Sequence, residues 1–297
     1  MRKVRISTIA LPHFPEEADY EQEILSKIRM VLPDQPDLIL LPELCDRTGK
    51  TENYAKRDIL GVPESIRAVA KQNRCYIAYP TITAPDGRWR NCVVMVDRNG
   101  EEMGAYYKCY PTAGEMQDRG IIPGKEPVVF DCDFGRVGCV ICFDLCYQNL
   151  AWQYRELEPD VMLFASAYHG GFVQEIWAYN TISHFVSASS ELQSRILSPV
   201  GEVIAKTTNY REFVTADINL DCCPVFLGLN HGKLNAAKEK YGDKIKISDP
   251  GYLGAVLLSC ETDAFSVWDI VKEYDIEPLR GYFARVADIR KEILDKE

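Results

Sequence analysis

The stretch that most constrains the fold runs from Arg136 to Leu157. An apolar run, Val137 to Ile141, ends on Cys142, and from Tyr147 to Leu157 the apolar residues recur at helical spacing. A change from strand-like to helical periodicity within a few residues predicts a strand, a sharp turn and a helix, with Cys142 at the corner. Val161 to Ala167 is again wholly small or apolar, so the unit should close as a right-handed βαβ crossover with parallel strands. At such a corner the next backbone N–H groups sit at a helix N-terminus, which favours a thiolate and can donate to an oxyanion. A buried cysteine is usually a small hydrophobe, however, and the chain has eleven cysteines. What Cys142 means therefore depends on the other strand ends.

Taken in order, Val4 to Leu11 reads as a strand stopped by Pro12, and Asp19 to Leu32 as a helix with Ile24, Leu25, Ile28 and Val31 on one face. Leu38 to Leu41 is a short apolar run, as expected of a strand buried on both sides, and it stops at Pro42-Glu43. Ser65 to Asn73 reads as a helix and Cys75 to Tyr79 as a strand. Asp86-Gly87 and Arg98-Asn99-Gly100 are hairpin turns, the second joining Trp89–Val96 to Met103–Tyr107. That last strand ends at Lys108, and a polar loop runs on to Pro127. After the βαβ unit come a helix (Gly171–Ile182), a strand (His184–Ser190), a hairpin over Pro199-Val200-Gly201 and a final strand, Phe213–Asp217. Parallel and antiparallel strands thus mix in one α/β domain spanning 1–297, with a helical extension from about residue 218. In that extension Leu279, Tyr282, Phe283, Val286, Ile289 and Ile293 share one face of a long helix. That face either packs on its own domain or makes a subunit contact.

Composition narrows the function. The net charge is −10 and no basic stripe appears, which excludes a nucleic-acid binder. No apolar run approaches the length of a membrane span. Val4–Leu11 is broken by Arg5 and followed by Pro12, Pro15, Glu16 and Glu17, so no signal peptide is expected. An odd number of irregularly spaced cysteines fits free thiols in a reducing cytoplasm. No metal or other cofactor is expected: Cys139, Cys142 and Cys146, spaced three and four apart, offer only three ligands. Cys139 and Cys142 would also face opposite sides of a strand, which argues equally against a thioredoxin-like pair.

Glu43, Lys108 and Cys142 each lie just past an apolar run, and in layered α/β folds such strand ends gather around ligands. Together they permit a specific chemistry. Glu43 can take the thiol proton, and the Cys142 sulfur can attack a carbonyl. Lys108 and the backbone N–H of Phe143 can stabilise the oxyanion, and Glu43 can then protonate a leaving amine and activate water. Each group alone is more often an ordinary solvated or packed residue. Rival readings are a Cys-His hydrolase using His169 or His184, and a non-catalytic small-molecule-binding protein.

In this order the motifs resemble the nitrilase-like carbon–nitrogen hydrolase superfamily. The matching segments are Leu40-Leu41-Pro42-Glu43-Leu44, Tyr106-Tyr107-Lys108-Cys109-Tyr110-Pro111 and Gly138-Cys139-Val140-Ile141-Cys142-Phe143-Asp144. A second glutamate that family members carry ahead of a Pro-Gly is matched by Glu115, before Ile122-Pro123-Gly124. The resemblance covers residues 4 to about 217. It implies a four-layer αββα sandwich with two mixed β-sheets, a homodimer or higher homo-oligomer, and a cofactor-free Glu-Lys-Cys site acting on a small amide-type molecule. N-carbamoyl and nitrile substrates suit the same triad, as does acyl transfer. Cys146, Ala167 and Tyr168 are expected to line the substrate pocket. Many family amidases place an arginine four residues after the nucleophile, where this chain has Cys146 with neutral Tyr147, Gln148 and Asn149 beside it. A neutral or partly apolar amide is therefore expected, not an N-carbamoyl α-amino acid.

Overall fold

The computed structural model describes residues 1–11, 19–46, 61–190 and 193–296. Pro12, expected to end the first strand, and Pro15, Glu16 and Glu17 after it lie outside them. Val4–Ser198 with Val203–Ile218 form one compact unit, and Met1–Lys3, Pro199–Glu202 and Asn219–Glu297 another.

The larger unit carries two six-stranded sheets. The first contains β1 (Lys3–Ile9), β2 (Leu38–Leu40), β3 (Tyr76–Thr83), β4 (Arg90–Val96) and β5 (Glu102–Tyr107) in sequential order. The second runs sequentially from β6 (Val129–Cys132) through β7 (Gly135–Ile141), β8 (Val161–Ser166), β9 (His184–Ser189) and β10 (Arg195–Leu197) to β11 (Val203–Lys206). β12 (Phe213–Asn219) returns to the first sheet beside β1. Both sheets repeat one plan. β1, β2 and β3 are parallel, as are β7, β8 and β9, and antiparallel strands flank each triplet.

The helices cover the outer faces. Those packed on the first sheet are α1 (Tyr20–Val31) and α2 (Glu64–Asn73), whose Ile24, Ile28, Ile66 and Ala70 share a core with Ile39, Ile77 and Val94. Between β5 and β6 lies one further short helix, α3 (Ala113–Gln117). On the second sheet sit α4 (Gln148–Leu157) and α5 (Val173–Thr181), whose Leu150, Tyr154 and Trp177 pack with Val140, Met162 and Phe164. The layers are therefore α, β, β, α. Apolar strands such as Leu38–Leu40 and Val161–Ser166 are fully buried because each is covered on both faces. Close packing of α4 on β7 requires Gly138, where an added Cβ would come within 2.5 Å of the Met162 sulfur and 2.9 Å of the Tyr154 ring.

The second unit is not the purely helical extension that the sequence pattern suggests. Its β13 (Cys222–Phe226), β14 (Ile245–Ser248) and β15 (Ala255–Cys260) form an antiparallel sheet in the order β13-β15-β14. Three helices complete it: α6 (Leu227–Tyr241), α7 (Val267–Glu273) and α8 (Leu279–Leu294). Val225, Leu234, Leu258 and Ile270 belong to its own core. At the start of α8, Leu279 is buried and the Tyr282 ring stacks on Phe226 with centroids 3.9 Å apart. Further along the same face Val286, Ile289 and Ile293 are exposed.

Candidate active site

Three strand ends of the larger unit deliver the three groups singled out in the sequence. The chain leaves β2 through Leu41-Pro42 and presents Glu43, and Leu44 next to it is left-handed at φ 51°. Lys108 follows β5 directly, its backbone N–H donating to the Asn91 carbonyl at the start of β4 (2.9 Å). Cys142 follows β7, and it too is left-handed, at φ 48°. A non-glycine residue held there stores on the order of 1–3 kcal/mol of backbone strain, which the surrounding packing must offset. That strain is the physical content of the sharp corner.

The corner differs in one respect from the expected one. Cys142–Cys146 is a single 3-10 turn, and α4 begins only at Gln148. The buried carboxylate of Asp144 fixes this turn, accepting from the N–H groups of Ile141 (2.9 Å) and Tyr110 (2.7 Å) and the Tyr106 hydroxyl (2.7 Å). Burial pushes Asp144 up to about 6, against the pull of those three bonds and the charge of Lys108. From the other side the Trp177 indole N–H donates to the Leu145 carbonyl at 2.8 Å.

Lys108, only 1% exposed, joins two carboxylates. Its ammonium donates to Glu43 Oε1 at 2.8 Å and to both oxygens of Glu115, at 3.0 and 2.9 Å. Burial alone would lower its pKa, but Glu43, Cys142 and Glu115 raise it, so the ammonium is held above the ordinary lysine range. Burial pushes Glu115 up, yet the Lys108 charge and bonds from Thr112, Lys108 and Asn91 bring its carboxyl below the ordinary carboxylate range. Glu115 sits on α3, within the segment that reads as polar loop. Its Oε2 accepts from the Thr112 N–H while the Thr112 hydroxyl accepts from its own, a reciprocal cap on that short helix.

The remaining oxygen of Glu43, Oε2, accepts from the Ala167 N–H at 3.1 Å, and the Cys142 thiol donates to the same carboxylate. The Ser166 hydroxyl donates to the Cys142 sulfur, while Ser166 Oγ accepts from the Tyr168 N–H at 2.9 Å. The thiol is not the resting thiolate that a helix N-terminus would favour. Burial and the neighbouring Glu43 charge push Cys142 up to about 12, with Lys108 and Ser166 opposing only in part. The thiol is therefore held in its neutral form beside the Glu43 carboxylate.

The residues expected to line a substrate pocket lie close to these groups. Ala167 touches Glu43 as described. The Cys146 sulfur lies 3.8 Å from the Tyr168 hydroxyl, and burial and Cys146 push that phenol up. Phe143 meets Tyr147 edge-on, and Tyr147 stacks on Tyr110 with centroids 3.7 Å apart. Asn149 donates to the Tyr110 hydroxyl at 2.6 Å. Neither histidine partners the thiol. His169 Nδ1 accepts from the Gly171 N–H, and His184 is buried in β9 and pushed down to about 4. Arg195 is bound by Glu175 at 2.7 Å and by the Gly171 carbonyl. Among the described residues no group of three or more His, Cys, Asp or Glu side chains could hold a metal ion, and no helix is long and apolar enough to cross a membrane.

Three residues of this site carried no signal of their own in the sequence: Asn91, Ser166 and Asp144. Asn91 Nδ2 bridges the two acids, at 2.8 Å from Glu43 Oε1 and 3.0 Å from Glu115 Oε1.

In a four-layer αββα sandwich, a Glu, a Lys and a Cys come together from three strand ends. The carbon–nitrogen hydrolase family model matches residues 6–223, and the chain belongs to that family. A deaminated glutathione amidase of Dictyostelium discoideum is 26% identical over 257 residues, covering 71% of this chain and 87% of the relative. An omega-amidase of Homo sapiens is 22% identical over 249 residues, covering 74% and 90%. Among solved structures, a nitrilase-superfamily member of Saccharomyces cerevisiae matches with a TM-score of 0.64 at 17% identity, over 73% of this chain and 90% of that one. An amidase mutant from Nesterenkonia carrying a covalent acetamide moiety at its active-site cysteine matches at 0.63 and 15% identity, over 72% and 90%.

Proposed function

We propose that this chain hydrolyses a small non-peptide amide through an acyl-enzyme on Cys142. The observation that carries the reading is the division of labour on Glu43: Oε1 is held by Lys108, while the carboxylate also faces the Cys142 thiol and the Ala167 N–H. When sulfur attacks the carbonyl carbon, the thiol proton passes to Glu43 and the S–C bond forms. The oxyanion is stabilised by the Lys108 charge and the backbone N–H of Phe143. Collapse breaks the C–N bond, and Glu43 returns the proton to the departing amine. Water then gives a proton to Glu43 and attacks the thioester, the S–C bond breaks, and the proton goes back to sulfur. Glu115 touches Lys108 and Asn91, and it positions them.

A neutral resting thiol suits this sequence, because the proton needed by the leaving amine is already in the site. The amidase names of the relatives support an amide over a nitrile, and the free cysteines support a reducing, cytoplasmic setting. The test is intact-protein mass after incubation with fluoroacetamide and with a panel of simple amides. The parent enzyme should carry an acyl adduct on Cys142 with slowly turned-over amides, Glu43→Gln should form it on the order of a hundredfold more slowly, and Cys142→Ser should form none. An adduct mapped to another cysteine, with amide turnover surviving in Cys142→Ser, would exclude the reading.

A further inference from the structure

We infer that Asn91 is a positioning residue that orients the Glu43 carboxylate and thereby sets the pH dependence of Cys142 reactivity. This rests on the reading of Glu43 as the base for Cys142. Asn91 is 2% exposed at the start of β4. Its amide spends both hydrogens on acids, one on Glu43 Oε1 and one on Glu115 Oε1. The Asn91 backbone carbonyl also accepts from the Lys108 N–H, so the pairing of β4 with β5 places the amide and the ammonium together.

The arrangement has an otherwise puzzling feature. The buried Asn91 Oδ1 has no partner among the described residues. An asparagine chosen for packing would be expected to satisfy its carbonyl. Turning the amide over would satisfy nothing, because it would aim Oδ1 at two carboxylates. The orientation is therefore dictated by the need for donors, at the expense of the acceptor.

The charges explain that need. Glu43 is faced by Lys108 from the end of β5, by Glu115 from α3, by Cys142 from the end of β7 and by Tyr168 beyond β8, while Asp144 lies within the field of Lys108. Two acids share one ammonium, so the ionised cluster carries one excess negative charge in a buried place. Asn91 is the neutral side chain that donates to both acids, and it favours their ionised forms without discharging Lys108. By holding Oε1 toward Lys108 it also fixes the carboxylate plane, leaving Oε2 toward the Ala167 N–H.

The test uses alkylation of Cys142 by iodoacetamide, followed by peptide mass mapping across pH, which needs no knowledge of the substrate. In the parent enzyme the labelling rate should rise with pH through an acid-side midpoint. In Asn91→Leu, which keeps the volume and removes both donors, the acid-side midpoint should move upward by on the order of half a pH unit or more. Asn91→Ser, with one donor, should lie between, and it decides the matter if the leucine variant does not fold. Thermal melts at fixed pH serve as the control, since a packing role would lower Tm and leave the midpoint in place. A parental or lowered midpoint in the folded variants overturns the inference. Glu43→Gln separates the two levels: if it leaves the labelling profile of Cys142 unchanged, the base and this inference fall together. If it abolishes the pH dependence while Asn91→Leu keeps the parental midpoint, only the role of Asn91 falls.

Discussion

Replacing Lys108 with methionine should reverse the way the larger unit responds to pH. The side chains of Lys108, Glu43 and Glu115 are 1%, 6% and 10% exposed, so solvent screens them little. Removing the ammonium leaves two acids that share the Asn91 amide with no cation in contact. Breaking a buried ion pair in this way costs about 3–5 kcal/mol, on the order of 10 °C in Tm for a unit of this size. The sign depends on pH. In the parent protein the Glu115 carboxyl is held low, so its contribution is present above the unfolded value of about 4.3 and is lost as pH falls through the folded one. Lys108 is held high, so its contribution is present below about 10.4 and is lost as pH rises through its folded value. The cluster is thus fully stabilising across the neutral range. In Lys108→Met one of the two acids keeps a proton, and its folded pKa lies above the unfolded one. That contribution is complete below about 4.3 and is lost as pH rises toward neutrality. Urea melts of both proteins at a series of pH values should show a deficit that widens from acid to neutral. A deficit that stays constant over that window would refute the idea that Lys108 neutralises these acids. The same variant should lose about a hundredfold or more in kcat, as expected for a lost oxyanion group.

For substrates, matched pairs differing only in carboxylate versus carboxamide should favour the neutral member, since Cys146 stands where an arginine fork would be needed and Arg195 is already bound by Glu175. A tenfold preference for the carboxylate, about 1.4 kcal/mol in kcat/KM, that disappears in Arg195→Ala, or on replacing Arg119, in the turn after α3, with alanine, would sink this. The exposed Val286, Ile289 and Ile293 of α8 are expected to stabilise an oligomer. Truncation before Pro278 should lower the mass seen by light scattering, and an unchanged mass would assign the face to its own subunit.

Much of the frame was legible because its signals are local. Leu38–Leu41 and Val161–Ala167 read as doubly covered strands, and the change of period at Cys142 marked the corner. The reactive groups at the ends of β2, β5 and β7 were likewise visible as breaks in apolar runs. Glu115 was identified only through the family resemblance, although Thr112-Ala-Gly-Glu115 has the spacing of a reciprocal helix cap and could have revealed α3. Asn91 and Ser166 escaped notice because a small polar residue at a strand end looks like an ordinary edge, and their roles exist only across chain segments brought together by folding. The protonation of Cys142 was misjudged for a related reason. A helix terminus can be read locally, but burial of the thiol, the larger cause, comes from the folded packing around it, and the charge of Glu43 comes from a residue 99 positions earlier. The strand Ala255–Cys260, apolar between Gly254 and Glu261, was a readable signal of the second sheet.

The parallel pairing of β7 with β8 places Ile141, the last residue of β7, opposite Ala165, so Cys142 just past β7 and Ser166 at the end of β8 follow the same register. The thiol and the hydroxyl that donates to it are thus spaced by strand register, not by any flexible connection. Loss of a single residue inside β7 would withdraw the sulfur by about 3.3 Å and turn alternate side chains to the opposite face. An added or lost residue is therefore accommodated in the connections, such as the one between β3 and β4, and not within the central strands, where it would separate the two groups.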